Sequence, residues 1–239
     1  MDRRSFLGAL GTGVLAVSAG CATNGLNTRT VTENARIDPA DSDLSESEFR
    51  EFAATTHERY GPGGVWGKQG SEPAHELSFS GAWTKRFDHD TATSEHLLAA
   101  YELPSIEDGN SASQVWLWSA TEPKEEGTVR KIETGFSLPE DAGALGIYDP
   151  AQDIAAEDAS EYTVESGRLD VPTLRATMPL DGGRIGVNPD TQVGDGGAYY
   201  PYWEGDRQTA QTLAATTEIR WEDMDQAEIE WDLAVSLSP

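Results

Sequence analysis

The sequence predicts an all-β fold, an antiparallel β-sandwich or its barrel-like variant, preceded by one short N-terminal α-helix. Three observations carry this. From residue 75 onward, apolar residues recur with a period of two, as in half-buried strands. Turn signals separate the runs: Glu107-Asp108-Gly109-Asn110, Glu125-Glu126-Gly127, Asp181-Gly182-Gly183 and Gly194-Asp195-Gly196-Gly197. Helical patterns do not alternate with the strand patterns, which argues against a parallel α/β sheet.

The helix comes first. Ser45-Glu46-Ser47-Glu48 forms a capping box, with Leu44 and Phe49 at the positions of a hydrophobic staple. Phe49, Phe52, Ala53, Thr56 and Tyr60 then recur at spacings of three and four, and Gly61-Pro62 stops the run. The expected helix spans about 46–60 and docks one face on the domain. The first strand alternates Leu77, Phe79, Gly81, Trp83 and Lys85-Phe87 with Ser78, Ser80, Ala82 and Thr84. The next carries Leu97, Ala99, Tyr101 and Leu103. Val115, Leu117 and Ser119 then oppose Trp116 and Trp118, and Ile132, Thr134, Phe136 and Leu138 follow. Residues 139–160 are acidic and alanine-rich, with Pro139 and Pro150. They read as a long surface loop with a helical turn at about 151–158. At the C-terminus, Ile219 and Trp221 precede a turn near Asp223–Gln226. Ile229, Trp231, Leu233 and Val235 then face one way, opposite Glu228, Glu230 and Asp232.

Ahead of the domain, Arg3-Arg4-Ser5-Phe6-Leu7 leads into an apolar run that ends at Val17-Ser18-Ala19-Gly20-Cys21. A charged start, a short apolar middle and small residues before a cut site form a secretory signal. The run from Phe6 to Ala19 is shorter than the about 20 residues a spanning helix needs. Arg3, Arg4, Phe6 and Leu7 resemble the core of twin-arginine export signals, with Gly8 where lysine is frequent. Ser18-Ala19-Gly20-Cys21 resembles the lipobox of exported lipoproteins, with Ser18 where leucine is usual. This resemblance implies that residues 1–20 are a signal peptide and that Cys21 is the lipidated first residue of the mature chain. The expected location is the outer face of the cytoplasmic membrane. Residues 21–44 are polar and read as a flexible tether, and residues 45–239 as the folded domain.

The 239-residue chain carries 42 Asp and Glu against 17 Lys and Arg, a net charge of −25. Cleavage before Cys21 removes one acid and two bases, which makes the mature chain more acidic still. Such a surface repels nucleic acid, whose binding is driven by Lys and Arg. Acidic, lysine-poor composition on a β-rich chain resembles proteins of extremely halophilic archaea. There, molar salt shrinks the Debye length to about 3 Å and screens self-repulsion. The alternative is that the acid serves calcium sites or a basic partner. Cys21 is the only cysteine, so the domain has no internal disulfide, and a chain of this size buries an adequate core without one.

Chemistry-bearing motifs are sparse. Asp88-His89-Asp90 with His96 is the densest set of metal-capable side chains. Adjacent strand residues point to opposite faces, however, and Asp-rich turns are ordinary, so no metal is expected. His57 and His75 are isolated. The loop at Asp223-Met224-Asp225 fails the EF-hand pattern at Ala227 and Glu228, and Asn188-Pro189-Asp190 has no specific support as an ion site. No Gly-x-Ser-x-Gly, His-Glu-x-x-His or phosphate-binding glycine loop occurs, and no cofactor is expected. The best remaining pointer is the aromatic run Tyr199-Tyr200-Pro201-Tyr202-Trp203 beside a glycine-rich loop, together with Trp66 between glycines. Tyr199, Tyr202 and Trp203 are candidate ligand-binding residues if exposed, and core residues of one strand if not. The leading expectation is a non-catalytic binding domain on a lipid-anchored surface protein, with an envelope protein or a surface glycan as partner. The alternative is an exported hydrolase or metal-dependent enzyme with an unrecognised site.

Overall fold

The structure is a computed structural model; it describes residues 28–72, 77–103, 111–125, 127–166, 173–222 and 229–239. The export motif (Arg3, Arg4, Phe6, Leu7), Cys21, His75 and the Asp223-Met224-Asp225 turn lie outside the described residues.

Among the described residues, fifteen strands and one α-helix follow in chain order. Strand β1 is Arg29–Ile37 and helix α1 is Glu46–Tyr60. Then come β2 Ser78–Asp88, β3 Ala92–Glu102, β4 Ser111–Pro123, β5 Thr128–Ser137, β6 Gly143–Asp149 and β7 Ile154–Ala155. The remainder are β8 Glu161–Glu165, β9 Arg175–Pro179, β10 Arg184–Val187, β11 Gly194–Asp195, β12 Ala198–Tyr199, β13 Pro201–Arg207, β14 Gln211–Trp221 and β15 Ile229–Ser238. They form two antiparallel sheets and a hairpin. Sheet A has the order β1-β15-β5-β13-β10-β7, with β12 also on β5; sheet B has the order β11-β6-β14-β4-β3-β2; β8 pairs with β9. The sheets pack as an open sandwich, not as a closed barrel.

Helix α1 starts and stops where its sequence signals place it. Glu48 donates its backbone N–H to the Ser45 hydroxyl, and the Glu48 carboxylate accepts the Ser45 N–H at 2.8 Å. The Ser45 hydroxyl also donates to that carboxylate at 2.6 Å, and this bond, followed by the one from the Ser45 N–H, holds the Glu48 carboxyl below the usual carboxylate range. Gly61, at φ 56, takes the turn that ends the helix. Phe49, Ala53 and Thr56 are the buried stripe.

The helix does not cap an end of the sandwich. With the following glycine-rich loop and the β8–β9 hairpin, it covers the outer face of sheet B. The Trp116 indole donates to the Val65 carbonyl at 3.2 Å and the Trp118 indole to the Gly63 carbonyl at 2.9 Å. Tyr162 on β8 reaches the Ala214 backbone of β14 at 2.9 Å. Gly67 has φ +60, and a Cβ there would lie 2.3 Å from the Thr177 carbonyl oxygen. Only glycine lets the loop cross β9 that closely. This third, partial layer explains why β4 is buried from Ala112 to Thr121. Both of its faces are covered, so Val115, Trp116, Leu117 and Trp118 are apolar on both sides of the strand rather than alternating with polar residues.

Two expectations require correction. Residues 29–37 are not tether: β1 pairs with the whole length of β15, from Arg29 opposite Leu237 to Ile37 opposite Ile229. Its exposed, polar outer positions disguised it, since only Ile37 is fully buried. Residues 139–160 are not one long loop either. Strand β6 joins sheet B beside β14, with Leu145 opposite Ile219. Its glycines hid the pattern, and Gly143 is required because a Cβ there would meet the Arg220 carbonyl oxygen at 2.3 Å. The expected turn is present but shifted, closed by the Asp158 and Ala159 N–H groups on the Ala155 carbonyl.

Candidate functional site

The period of two splits the aromatic run. Tyr199 and Trp203 point inward and are fully buried, whereas Tyr200 and Tyr202 point outward and are half-buried. The Tyr199 hydroxyl donates to the Pro150 carbonyl at 3.1 Å, and the Trp203 indole to the Gly182 carbonyl at 2.8 Å. Tyr199 and Trp203 are therefore core residues, not ligand contacts, and a flat aromatic face does not exist. Trp66 is likewise buried, against Trp116 at 5.0 Å between ring centres.

Asp88, His89 and His96 do not converge. Asp88 is exposed and pairs with Lys124 at 2.6 Å, which holds its carboxyl below the usual range. His89 sits in the β2–β3 turn, tied by its N–H to the Ala92 carbonyl. His96 is fully buried between the sheets with Nδ1 2.8 Å from the Ser119 hydroxyl, and Phe87 lies against both imidazoles, 5.1 Å from the His96 ring centre and 6.1 Å from that of His89. Among the described residues, no three His, Cys, Asp or Glu side chains come together as a ligand set.

His96 instead carries a stability effect. Burial, with a smaller contribution from His89, lowers its pKa from 6.5 to about 3. An unfolded chain takes up that proton below pH 6.5 while the folded chain refuses it. The stabilisation is thus complete above pH 6.5 and declines as pH falls toward 3, by at most about 1.4 kcal/mol per pH unit. His96→Gln preserves a hydrogen-bonding side chain for Ser119 without the titration. The variant is expected to lose less thermal stability than the parent between pH 7 and pH 4.5. Carboxylate protonation is common to both proteins, so parallel pH profiles would remove His96 as the cause.

A cavity of about 820 Å³ lies on the outer face of sheet A. One register row crosses this face through six strands: Thr30, Ser236, Lys131, Glu204, Arg184 and Ala155. Lys131 and Arg184 project from β5 and β10, and Arg130 enters beside Lys131 at an irregularity in the β5–β15 register. Gly182, Gly183 and Gly205 line one end. Gly183 has φ +72, and a Cβ there would meet the Glu204 carbonyl oxygen at 2.2 Å, so a side chain cannot fill that end of the groove. Tyr202 lies on the next row. Its ring covers Gly186, with the Lys131 ammonium 4.8 Å and the Arg184 guanidinium 6.0 Å from the ring centre. Cation–π contact thus orders all three side chains. Each base also has an acid: Arg130 with Asp206, Lys131 with Glu133 at 2.7 Å, and Arg184 with Glu204 at 2.8 Å.

None of the three residues singled out in the aromatic run lines this groove; Tyr202 lies beside it, against Lys131 and Arg184. The bases were missed. The Arg130-Lys131 pair is a visible signal in a base-poor chain, but Arg184 joins it only through the order β5-β13-β10.

A second cavity, of about 440 Å³, opens between α1 and β2–β3. Trp66, Phe79 and Tyr101 form its floor, and Glu46, Arg50 and Glu72 its polar lining. Burial and the neighbouring Glu72 carboxylate push the Tyr101 phenol up. A third, also about 440 Å³, holds Asp88, His89 and Asp90 against Arg29 and Ser238.

No protein family and no curated protein matches the chain.

Proposed function

We propose that this protein is an exported, lipid-anchored binding module of the cell surface, and that the groove on the outer face of sheet A is its ligand site. The observation that carries the reading is the groove itself: open, about 820 Å³, and lined by ordered cations and glycines. Its side chains suit holding rather than reacting. The bases are engaged in ion pairs, and the Ser236 hydroxyl shares its hydrogen bond with Thr30 at 2.8 Å. Nucleophilic catalysis would need a base beside that hydroxyl. The export signal and Cys21 put the module on the outer face of the cytoplasmic membrane, where an envelope protein or a surface glycan is within reach. Among the described residues, no helix is long and apolar enough to cross a membrane, so attachment through lipid at Cys21 fits the chain.

The test is recovery of the lipidated protein from its own membrane in molar salt. An envelope component should co-purify with the parent and be lost from the Arg130→Ala/Arg184→Ala variant, whose lost ion pairs are with exposed carboxylates, so that its thermal midpoint is little changed. Turnover in substrate screens, with nothing co-purifying, would favour the enzyme alternative.

A further inference from the structure

We propose that the cavity between α1 and β2 is a second ligand site, and that it takes an organic ammonium ion, an N–H-bearing cation on a small apolar body. The inference does not depend on the groove of sheet A.

The site forms where a helix, a loop and a sheet edge meet. Strand β2 is the last strand of sheet B and supplies Phe79. Helix α1 supplies Glu46, Arg50 and Ala53, and the loop after it supplies Ser71 and Glu72. Gly70 turns that loop at φ +69, a conformation glycine adopts without strain. The volume of about 440 Å³ is that of a small-molecule site.

The apolar part is already shaped. Trp66 and Tyr101 are 2% and 1% exposed, so they close the cavity from below without offering a free ring face. Phe79 and Leu77 are half-buried and form the apolar surface left for a ligand. Phe79 is held in place, stacked on Phe49 at 5.4 Å and set across Tyr101 at 79°.

The charges select the sign of the ligand. Those lining the cavity are Glu46, Arg50 and Glu72. Glu46 and Arg50 lie one helical turn apart and form an ion pair, so their charges cancel. Glu72 leaves the described lining with one net negative charge. Its carboxylate lies against the Tyr101 hydroxyl, whose pKa burial and that carboxylate push up. The phenol therefore keeps its proton and acts as a donor. A carboxylate offers about four acceptor positions, of which one phenol proton uses one.

Other ligand classes fit less well. An anion is opposed by the net charge. A divalent metal needs several converging oxygen ligands, and among the described residues no three such side chains gather. A neutral apolar molecule leaves the Glu72 charge unanswered. An ammonium head neutralises it through charge-assisted hydrogen bonds, which are stronger than neutral ones, while the body covers Phe79 and Leu77. An alkali cation competes for the carboxylate but gains nothing from the apolar wall.

The experiment is an NMR titration of the full mature chain at pH 7 in molar potassium chloride. The probe is phenethylammonium, against 2-phenylethanol, phenylacetate and the N-trimethyl analogue of the probe. Phenethylammonium is expected to bind at least roughly tenfold more tightly than each of the others, as for a charged hydrogen bond. Glu72→Gln keeps an acceptor for Tyr101 but removes the charge, and should weaken the probe by a similar factor. Ala54→Trp fills the cavity from an exposed position of α1 and should abolish binding at unchanged thermal midpoint. The Arg130→Ala/Arg184→Ala variant should bind the probe as the parent does. Equal binding of the alcohol overturns the cationic class, and equal binding of the trimethyl analogue overturns the N–H head. Indifference to Ala54→Trp, or loss of the probe from the groove variant, overturns the site. Binding of no probe overturns the inference and leaves the reading of the groove untouched.

Discussion

Deleting residues 28–37 is expected to lower the thermal midpoint by about 8–24 °C and to make the domain aggregate, which removal of a mere tether would not do. Strand β1 contributes one fully buried side chain, Ile37, and two partly buried ones, Val31 and Ala35. Burying Ile37 alone stabilises by about 1.5–3 kcal/mol. Without β1, the flank of Trp231, Leu233 and Val235 is uncovered, because these residues pair with Ala35, Glu33 and Val31. Lost burial on both strands comes to roughly 4–6 kcal/mol on the same scale, and each kcal/mol moves the midpoint of a domain this size by about 2–4 °C. The kinetic consequence is separate. Strand β15 reads Ile-Glu-Trp-Asp-Leu-Ala-Val-Ser-Leu-Ser, and deletion turns it from an inner strand into the edge of sheet A. A long apolar edge recruits other strands. The native edge, β1, is polar and carries Arg29, Glu33 and Arg36, which discourage such pairing. Scanning calorimetry with light scattering reads both effects. A deletion variant that melts with the parent and stays monomeric would show that β1 is dispensable.

The strand illustrates what the sequence reveals and what it withholds. Elements with one covered face, or with local chemical punctuation, are legible. The capping box fixes α1, and period-two alternation fixes β5 and β15. Elements whose reason for existing is a distant partner are not. Strand β1 lacks an apolar stripe of its own and is held by a ladder to residues about 200 positions away. Strand β6 is glycine-rich because its neighbours crowd it. The indoles of Trp116 and Trp118 are legible as a strand face, but not as anchors for a loop at residues 63–65. The groove follows the same rule. Tyr202 is conspicuous in an aromatic run, and alternation alone separates it from Tyr199 and Trp203 once the strand is placed. That Arg130, Lys131 and Arg184 share its face depends on strand order, which local pattern does not encode.

Replacing Cys21 with Ser is expected to move nearly all of the protein from membranes to the soluble fraction. A lipobox lipid carries two acyl chains, and each buried CH₂ contributes about 0.8 kcal/mol, so the proposed lipidation of this one residue would supply stable anchoring. The chain offers no second attachment of the usual kinds. Juxtamembrane basic clusters hold proteins to anionic headgroups, but the net charge here is −25, which acts in the opposite direction. The fold should be indifferent, because Cys21 precedes β1 and the sandwich begins at Arg29. Thermal unfolding of the released variant should therefore match that of the detergent-extracted parent. The position of β1 also tightens the geometry. Residues 22–28 span at most roughly 25 Å when fully extended. Arg29 shares a cavity with Asp88, His89, Asp90 and Ser238, so the proposed lipid at Cys21 would hold that end of the sandwich close to the bilayer. The row from Thr30 to Arg184 crosses sheet A one residue further along β1. Under that proposal a ligand in the groove would be met near the membrane rather than far out in the medium. Lengthening the stretch between Cys21 and Arg29 should leave anchoring intact and alter only that reach. Unchanged membrane retention of Cys21→Ser would refute lipidation at this site, and with it the placement of the groove.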